Sequence, residues 1–201
     1  MTKLYIVRHG ETEWNRAGKL QGWKDAPLTE KGKKQAEALS ERLEGIDFDA
    51  VYSSPLGRTL KTAEIALDGM DLSVSTDERL KEINMGRWEG TEADKIKQMF
   101  PELYKDFWER PHLYEPEDGE SFHEVQDRAL SFLEETKEKH ADQKILIFSH
   151  GCTSKVLMIH LEGRPLSRLW EPPELEECSL NIVEIEDGGS EIILFGDTSF
   201  L

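Results

Sequence analysis

The sequence predicts an α/β protein, a mostly parallel mixed sheet with helices layered on both faces. Two observations carry this. Short apolar, β-rich runs at 3–8, 49–54, 72–77 and 144–150 alternate with segments whose apolar residues recur at helical spacing. The last forty residues instead hold two strand-like runs around Asp187-Gly188-Gly189, an antiparallel hairpin that makes the sheet mixed.

Each element has a local cause. KLYIVR (3–8) is apolar and β-branched and gives way to a loop at His9-Gly10. LTEKGKKQAEALSERLEG (28–45) reads as a helix, with Thr29 as N-cap, Ala36, Leu39 and Leu43 on one face, and Gly45 at its end. DAVYSS (49–54) is a second strand, and Pro55 is expected to open a helix that runs to Leu67. LSVSTD (72–77) is a third strand. Ser121 and Glu124 match a capping box, followed by Phe122, Val125, Ala129, Phe132 and Leu133 at helical intervals to about His140. KILIFSH (144–150) is a fully buried strand, GCTSKVLMIHLEG (151–163) continues as a helix, and CSLNIVEIE and SEIILFGD form the hairpin.

The 201 residues fit one domain. Residues 85–119, broken by Pro101, Pro111 and Pro116 and rich in aromatics, read as a small helical cap-like excursion from it. Hydrophobic residues at 37% and charged residues at 33% describe a globular chain. A formal charge of −16 excludes binding to nucleic acid or anionic lipid by bulk electrostatics, so any bound anion must meet a local cluster. The sequence predicts no signal peptide and no membrane span. Two cysteines, Cys152 and Cys178, give neither a disulfide framework nor a metal knuckle, and a cytoplasmic protein is expected.

Ligands of such folds bind where parallel strands end and helices begin. Three segments bring unusual side chains to that rim: Arg8-His9-Gly10, Ser53-Ser54-Pro55-Leu56-Gly57-Arg58 and Ser149-His150-Gly151. Taken singly, Arg58 reads as a solvated residue and His150 as a hydrogen-bonded strand end. Together, two guanidinium groups and two imidazoles suit a phosphoryl group, whose oxygens planar guanidinium forks hold bidentately while a neutral imidazole attacks. Glu82 in RLKEINMGRWEG (79–90) is the candidate acid for the departing oxygen. Leu80 and Ile83 would anchor its loop, and burial would favour its protonated form. Glu89 is the competing carboxylate. A metal site on His9 and His150 is disfavoured, because no carboxylate-rich spacing accompanies them and the arginines would repel a dication. His112, His123, His140 and His160 read as structural or solvated. Cys152 reads as a small buried residue, with an oxidisable low-pKa thiol as the rival reading; Glu120, ahead of the capping box, could approach the pocket, with helix-dipole support as the sufficient reading.

The stretch LYIVRHGETEWN resembles the arginine-histidine-glycine signature of the histidine phosphatase superfamily, which includes the cofactor-dependent phosphoglycerate mutases. QGWKDAPLTEKGKKQA, VYSSPLGRTLKTAE, LKEINMGRWEG, DGESFHEVQDRAL and ILIFSHG resemble further family blocks in the same order, over nearly the whole chain. The likeness is greatest to the short bacterial broad-specificity phosphatases. It implies a three-layer sandwich of phosphoglycerate mutase-like fold, with His9 as nucleophile, Arg8, Arg58, His150 and Gly151 about the transferred phosphoryl, and Asn15 as a further polar contact. It also implies Glu82 as proton donor and Gln21 and Gly22 on the substrate side. Glu13 stands where many mutases carry serine or threonine, which departs from their phosphoglycerate contacts. The resemblance implies a metal-independent phosphomonoester hydrolase without a cofactor, acting on small phosphorylated metabolites through phosphohistidine. A bell-shaped rate profile is expected, with His9 on the acidic limb and Glu82 on the basic one. A phosphoglycerate mutase and a non-catalytic phospho-ligand-binding protein are the alternatives, and a homodimer is left open.

Overall fold

Strand β1 (Thr2–Arg8) lies inside a six-stranded sheet in the computed structural model, which describes residues 1–186 and 188–201. It pairs in parallel with β4 (Lys144–Ser149) on one side and antiparallel with β5 (Leu180–Glu186) on the other. Beyond β4 come β2 (Ala50–Ser53) and β3 (Val74–Thr76), both parallel to it, and β6 (Gly189–Asp197) closes the far edge beside β5, giving the order β3-β2-β4-β1-β5-β6. The mixed sheet expected from sequence is present. Asp187, in the hairpin turn expected there, lies outside the described residues.

Alternation along the strands builds two cores. Tyr5, Val7, Leu146 and Phe148 face helices α2 (Glu30–Leu43) and α3 (Gly57–Ala66), packing on Leu39, Leu43, Ala63 and Ala66. Leu4, Ile6, Ile145 and Ile147 point the other way, onto Ala129, Phe132 and Leu133 of α6 (Phe122–Lys139) and Leu157 and Met158 of α7 (Gly151–Leu161). Central strands buried on both faces require the continuous apolar runs read from the sequence. Thr29 caps α2 by accepting from Gly32 N, and the Ser121–Glu124 capping box of α6 forms in both directions.

Two expectations shift. Helix α3 starts at Gly57 rather than Pro55, because Ser54 Oγ accepts from Leu56 N and closes a turn first. A four-residue helix, α1 (Glu13–Arg16), follows the first loop, with Thr12 and Asn15 forming its own capping box. The excursion contains α4 (Ala93–Met99) and α5 (Pro101–Glu109), with single 3-10 turns before and after. Its aromatics form a third core with α6: Trp88, Phe107 and Tyr114 pack together with Phe122 of α6, and all four are almost wholly buried.

Candidate active site

The pairing of β1 with β4 places the site. Arg8 stands opposite Ser149, so the next residue of each strand, His9 and His150, leaves the same end of the sheet side by side. His9 N donates to Ser149 O at 3.1 Å, and the two imidazole centroids lie 5.3 Å apart. Strand β2 ends beside them and delivers Ser54 and, as the second residue of α3, Arg58. A cavity of about 360 Å³ opens there, with Arg8, His9, Asn15, Arg58, Glu82 and Gly151 in its wall and Gln21 and Gly22 along one side.

His9 is 3% exposed, and its Nδ1 donates to Gly10 O at 2.8 Å. That bond leaves the lone pair on Nε2. Burial, then the charges of Arg58 and Arg8, hold its pKa well below the usual histidine value, so the ring is neutral. His150 is wholly buried and is also held well below it, by burial first and then by Arg58 and His9. Its Nε2 meets Ser54 Oγ at 2.7 Å. Its Nδ1 is buried and has no protein partner.

Arg58 is 2% exposed and held by one loop: Nη2 donates to Gly22 O at 2.7 Å, and Nη1 to Lys24 O at 2.9 Å and Asp25 Oδ1 at 3.0 Å. Asp25 also accepts from Arg58 N, capping α3 from a distant part of the chain. Arg8 spends Nη1 on Leu175 O and Nη2 on Glu177. The Nε atoms of both arginines are buried and unpartnered, like His150 Nδ1. Two guanidinium N–H donors on side chains that line the cavity are thus left without a protein acceptor.

Glu82 is 7% exposed, with Leu80 and Ile83 fully buried on either side as anchors. Its oxygens accept from Cys152 N and Thr153 N, in the first turn of α7, at 3.2 Å each, and from Ile83 N at 3.0 Å. Burial was expected from the sequence; these donors were not. A Cβ on Gly151 would lie 3.5 Å from Arg8 Nε and 3.7 Å from Glu82 Oε2, so the two charged groups approach the same glycine.

Glu82 lines the cavity and Glu89 does not. Glu89 Oε1 accepts from Trp23 N and Met85 N, and it presses so close on Gly22 that a Cβ there would come within 2.3 Å. Gly22 has φ +54°, which glycine adopts freely. Glu89 thus holds the loop that holds Arg58. Asn15 Oδ1 accepts from Thr12 and from Gln21 Nε2, linking the polar residues of that side. Cys152 borders the cavity, but burial first and then Glu82 push its thiol pKa well up, the opposite of an activated thiol. His140 is bonded to Tyr52 and Gln143, and His112, His123 and His160 are exposed.

Sequence reading did not find Asp25, the Ser54–His150 bond or Lys155. Lys155 is 3% exposed and donates to Glu171 O and Pro173 O, fixing the loop that carries Leu175 to Arg8. Burial, then Arg164, brings its pKa down to about 8. Among the described residues, no three His, Cys, Asp or Glu side chains gather as metal ligands.

The wider comparisons agree with this architecture. The sequence profile of the histidine phosphatase superfamily (branch 1) matches residues 4–198. Phosphoserine phosphatase 1 of Hydrogenobacter thermophilus is 35% identical over 201 residues, covering 100% of this chain and 95% of that protein. A probable phosphoglycerate mutase of Yersinia pestis is 36% identical, with the same coverage. The solved structure of Bacillus stearothermophilus YhfR superposes with a TM-score of 0.96 at 44% identity, over 100% of this chain and 99% of that one. With the arginine-histidine-glycine strand end, the second histidine opposite it and this fold in one chain, the protein belongs to the histidine phosphatase superfamily, branch 1, as a phosphatase.

Proposed function

We propose that this phosphatase hydrolyses small phosphomonoesters without a metal ion, through a phosphohistidine formed on His9. One observation carries the reading: Arg8 Nε and Arg58 Nε are buried, unpartnered N–H donors on side chains that line the same cavity as the His9 ring, and His150, packed against that ring, has an unpartnered Nδ1. They form a cradle for a tetrahedral anion, and the two guanidinium charges take the place of a metal as counter-charge.

In the first step His9 Nε2 attacks phosphorus while the ester P–O bond breaks. Glu82 gives a proton to the departing oxygen, and the bond from Nδ1 to Gly10 O holds the ring in line. In the second step water attacks the phosphohistidine, Glu82 accepts the water proton, the P–N bond breaks, and phosphate leaves from neutral His9. Asn15, Gln21 and Gly22 border the leaving-group side. Phe107, Trp108, Trp170 and Met85 line the outer wall, which favours leaving groups with apolar or aromatic surface. Phe107 therefore serves both the excursion's core and the cavity wall.

The test is the phosphoenzyme. Wild-type protein is expected to yield an acid-labile, base-stable phosphate adduct when quenched during turnover, and His9→Ala to lose about a thousandfold in turnover together with the adduct. Near-normal turnover by His9→Ala overturns the reading. The second reading is phosphoglycerate mutase, favoured by the 36% identity to the Yersinia pestis protein. A coupled mutase assay run beside phosphate release separates the two, since a mutase must transfer the phosphoryl without losing it to water. A non-catalytic binding role is the weaker alternative, because nucleophile, both arginines and acid are all present around the cavity. This reading makes a small-molecule phosphomonoester the partner, with nucleic acid and membranes excluded, and places the enzyme in the cytoplasm. Among the described residues no helix is long and apolar enough to cross a membrane.

A further inference from the structure

We infer that Arg128 is a positioning residue for the acid, acting through the backbone of the Glu82 loop. This rests on the role proposed for Glu82. Arg128 lies on α6 and is not itself among the residues that line the cavity, yet each of its five N–H donors has an acceptor. Nη1 donates to Arg79 O and to Lys81 O at 2.7 Å each. Nη2 donates to Glu82 O and Glu120 Oε2 at 3.0 Å each, and Nε to Glu120 Oε1 at 2.8 Å. One rigid guanidinium fork thus grips three carbonyls of residues 79–82.

Glu120 extends the grip. Its Oε2 accepts from Asn84 N at 2.8 Å, and its own backbone N donates to Asn84 O at 2.8 Å. The helix-dipole explanation for Glu120 is therefore replaced by a specific one: it pairs with Arg128 and ties down the far end of the loop. The loop is held from its carbonyl side by α6 and from its carboxyl side by α7, where Cys152 N and Thr153 N meet Glu82 and Thr153 Oγ1 donates to Lys81 O. Trp23 Nε1 adds a second donor to Glu82 O at 2.8 Å. An acid that must meet a leaving oxygen at hydrogen-bond range gains from such fixing, because a displacement of about 1 Å is enough to cost about a hundredfold in rate. Lysine, with a single point of charge, cannot span the same acceptors.

The role predicts a signature that general loosening does not share. Acid assistance matters for an alkoxide leaving group and little for p-nitrophenolate, which departs without a proton. Values of kcat/KM, which report the step that expels the alcohol, are measured for p-nitrophenyl phosphate and for an alkyl phosphate in Arg128→Lys and Glu120→Gln, with Glu82→Gln as reference. Arg128→Lys is expected to lose about tenfold or more on the alkyl ester and threefold or less on the aryl ester, with inhibition by inorganic phosphate unchanged. Glu120→Gln is expected to shift the same ratio in the same direction, and it serves alone if Arg128→Lys does not fold. Equal losses on both esters overturn the inference. If Glu82→Gln discriminates the esters and the other variants do not, the inference fails and the acid assignment stands. If Glu82→Gln itself does not discriminate, both fail.

Discussion

The nucleophile role proposed for His9 requires a neutral imidazole, and the residues around it favour that form at a cost that can be measured. Burial and the two arginine charges disfavour the imidazolium of His9, and burial, Arg58 and His9 disfavour that of His150. The unfolded chain binds protons near pH 6.5 that the folded rings refuse, so this contribution is complete above that pH and is lost as the pH falls below it. The thermal midpoint is therefore expected to drop between pH 7 and pH 5, each ring adding a slope of about 1.4 kcal/mol per pH unit while it stays neutral in the fold. His150→Asn, followed by thermal melts across this range, is expected to remove one ring's share. An unchanged slope contradicts the neutral assignment. The acidic limb of the rate profile, set by His9, is likewise expected well below pH 6.5. Arg8, His9, Arg58 and His150 were legible as candidates because strand patterns end at them. Asp25 was not, since it reaches Arg58 across 33 residues, and Ser54 reaches His150 across 96.

At the scale of elements, loops and helix ends share the work of holding the cavity. The first turn of α7 donates to Glu82, and Asp25 closes the N-terminus of α3 where no side chain of its own segment does. Asp25→Ala is expected to leave Arg58 buried with fewer acceptors, weakening phosphate inhibition by about tenfold. A calorimetric titration with phosphate checks it. Helix α2 meets the loop after His9 through two glycines: a Cβ on Gly10 would lie 2.6 Å from Gly32 O, and one on Gly32 would lie 2.1 Å from Glu11 O. Gly32→Ala must push the helix away and is expected to cost about 1–3 kcal/mol in urea unfolding. The cap of α2 and the capping box of α6 were readable because their signals are local. The α1 turn is too short to show periodicity. The start of α3 was missed because the Ser54 turn competes with Pro55 for the first helical position.

At the scale of the molecule, a net charge of −16 surrounds a cavity lined by Arg8 and Arg58. The fold class was legible because alternating strands and helices constrain topology strongly, and right-handed crossovers with parallel pairing leave few arrangements. The order β3-β2-β4-β1-β5-β6 was not, since nothing local dictates which strands become neighbours. If the arginines supply the counter-charge, turnover is expected to survive exhaustive chelation within about twofold; its loss, restored by a divalent cation, would refute the metal-independent reading. The central position of β1 and β4 reaches beyond chemistry. His9 and His150 are extensions of the two innermost parallel strands, bonded to each other through Ser149 O. Partial fraying at the β3 or β6 margin leaves that seam closed, whereas separating the histidines means dismantling the middle of the protein. Under increasing urea, catalysis and sheet circular dichroism should therefore vanish at one shared midpoint, with no inactive yet folded species between.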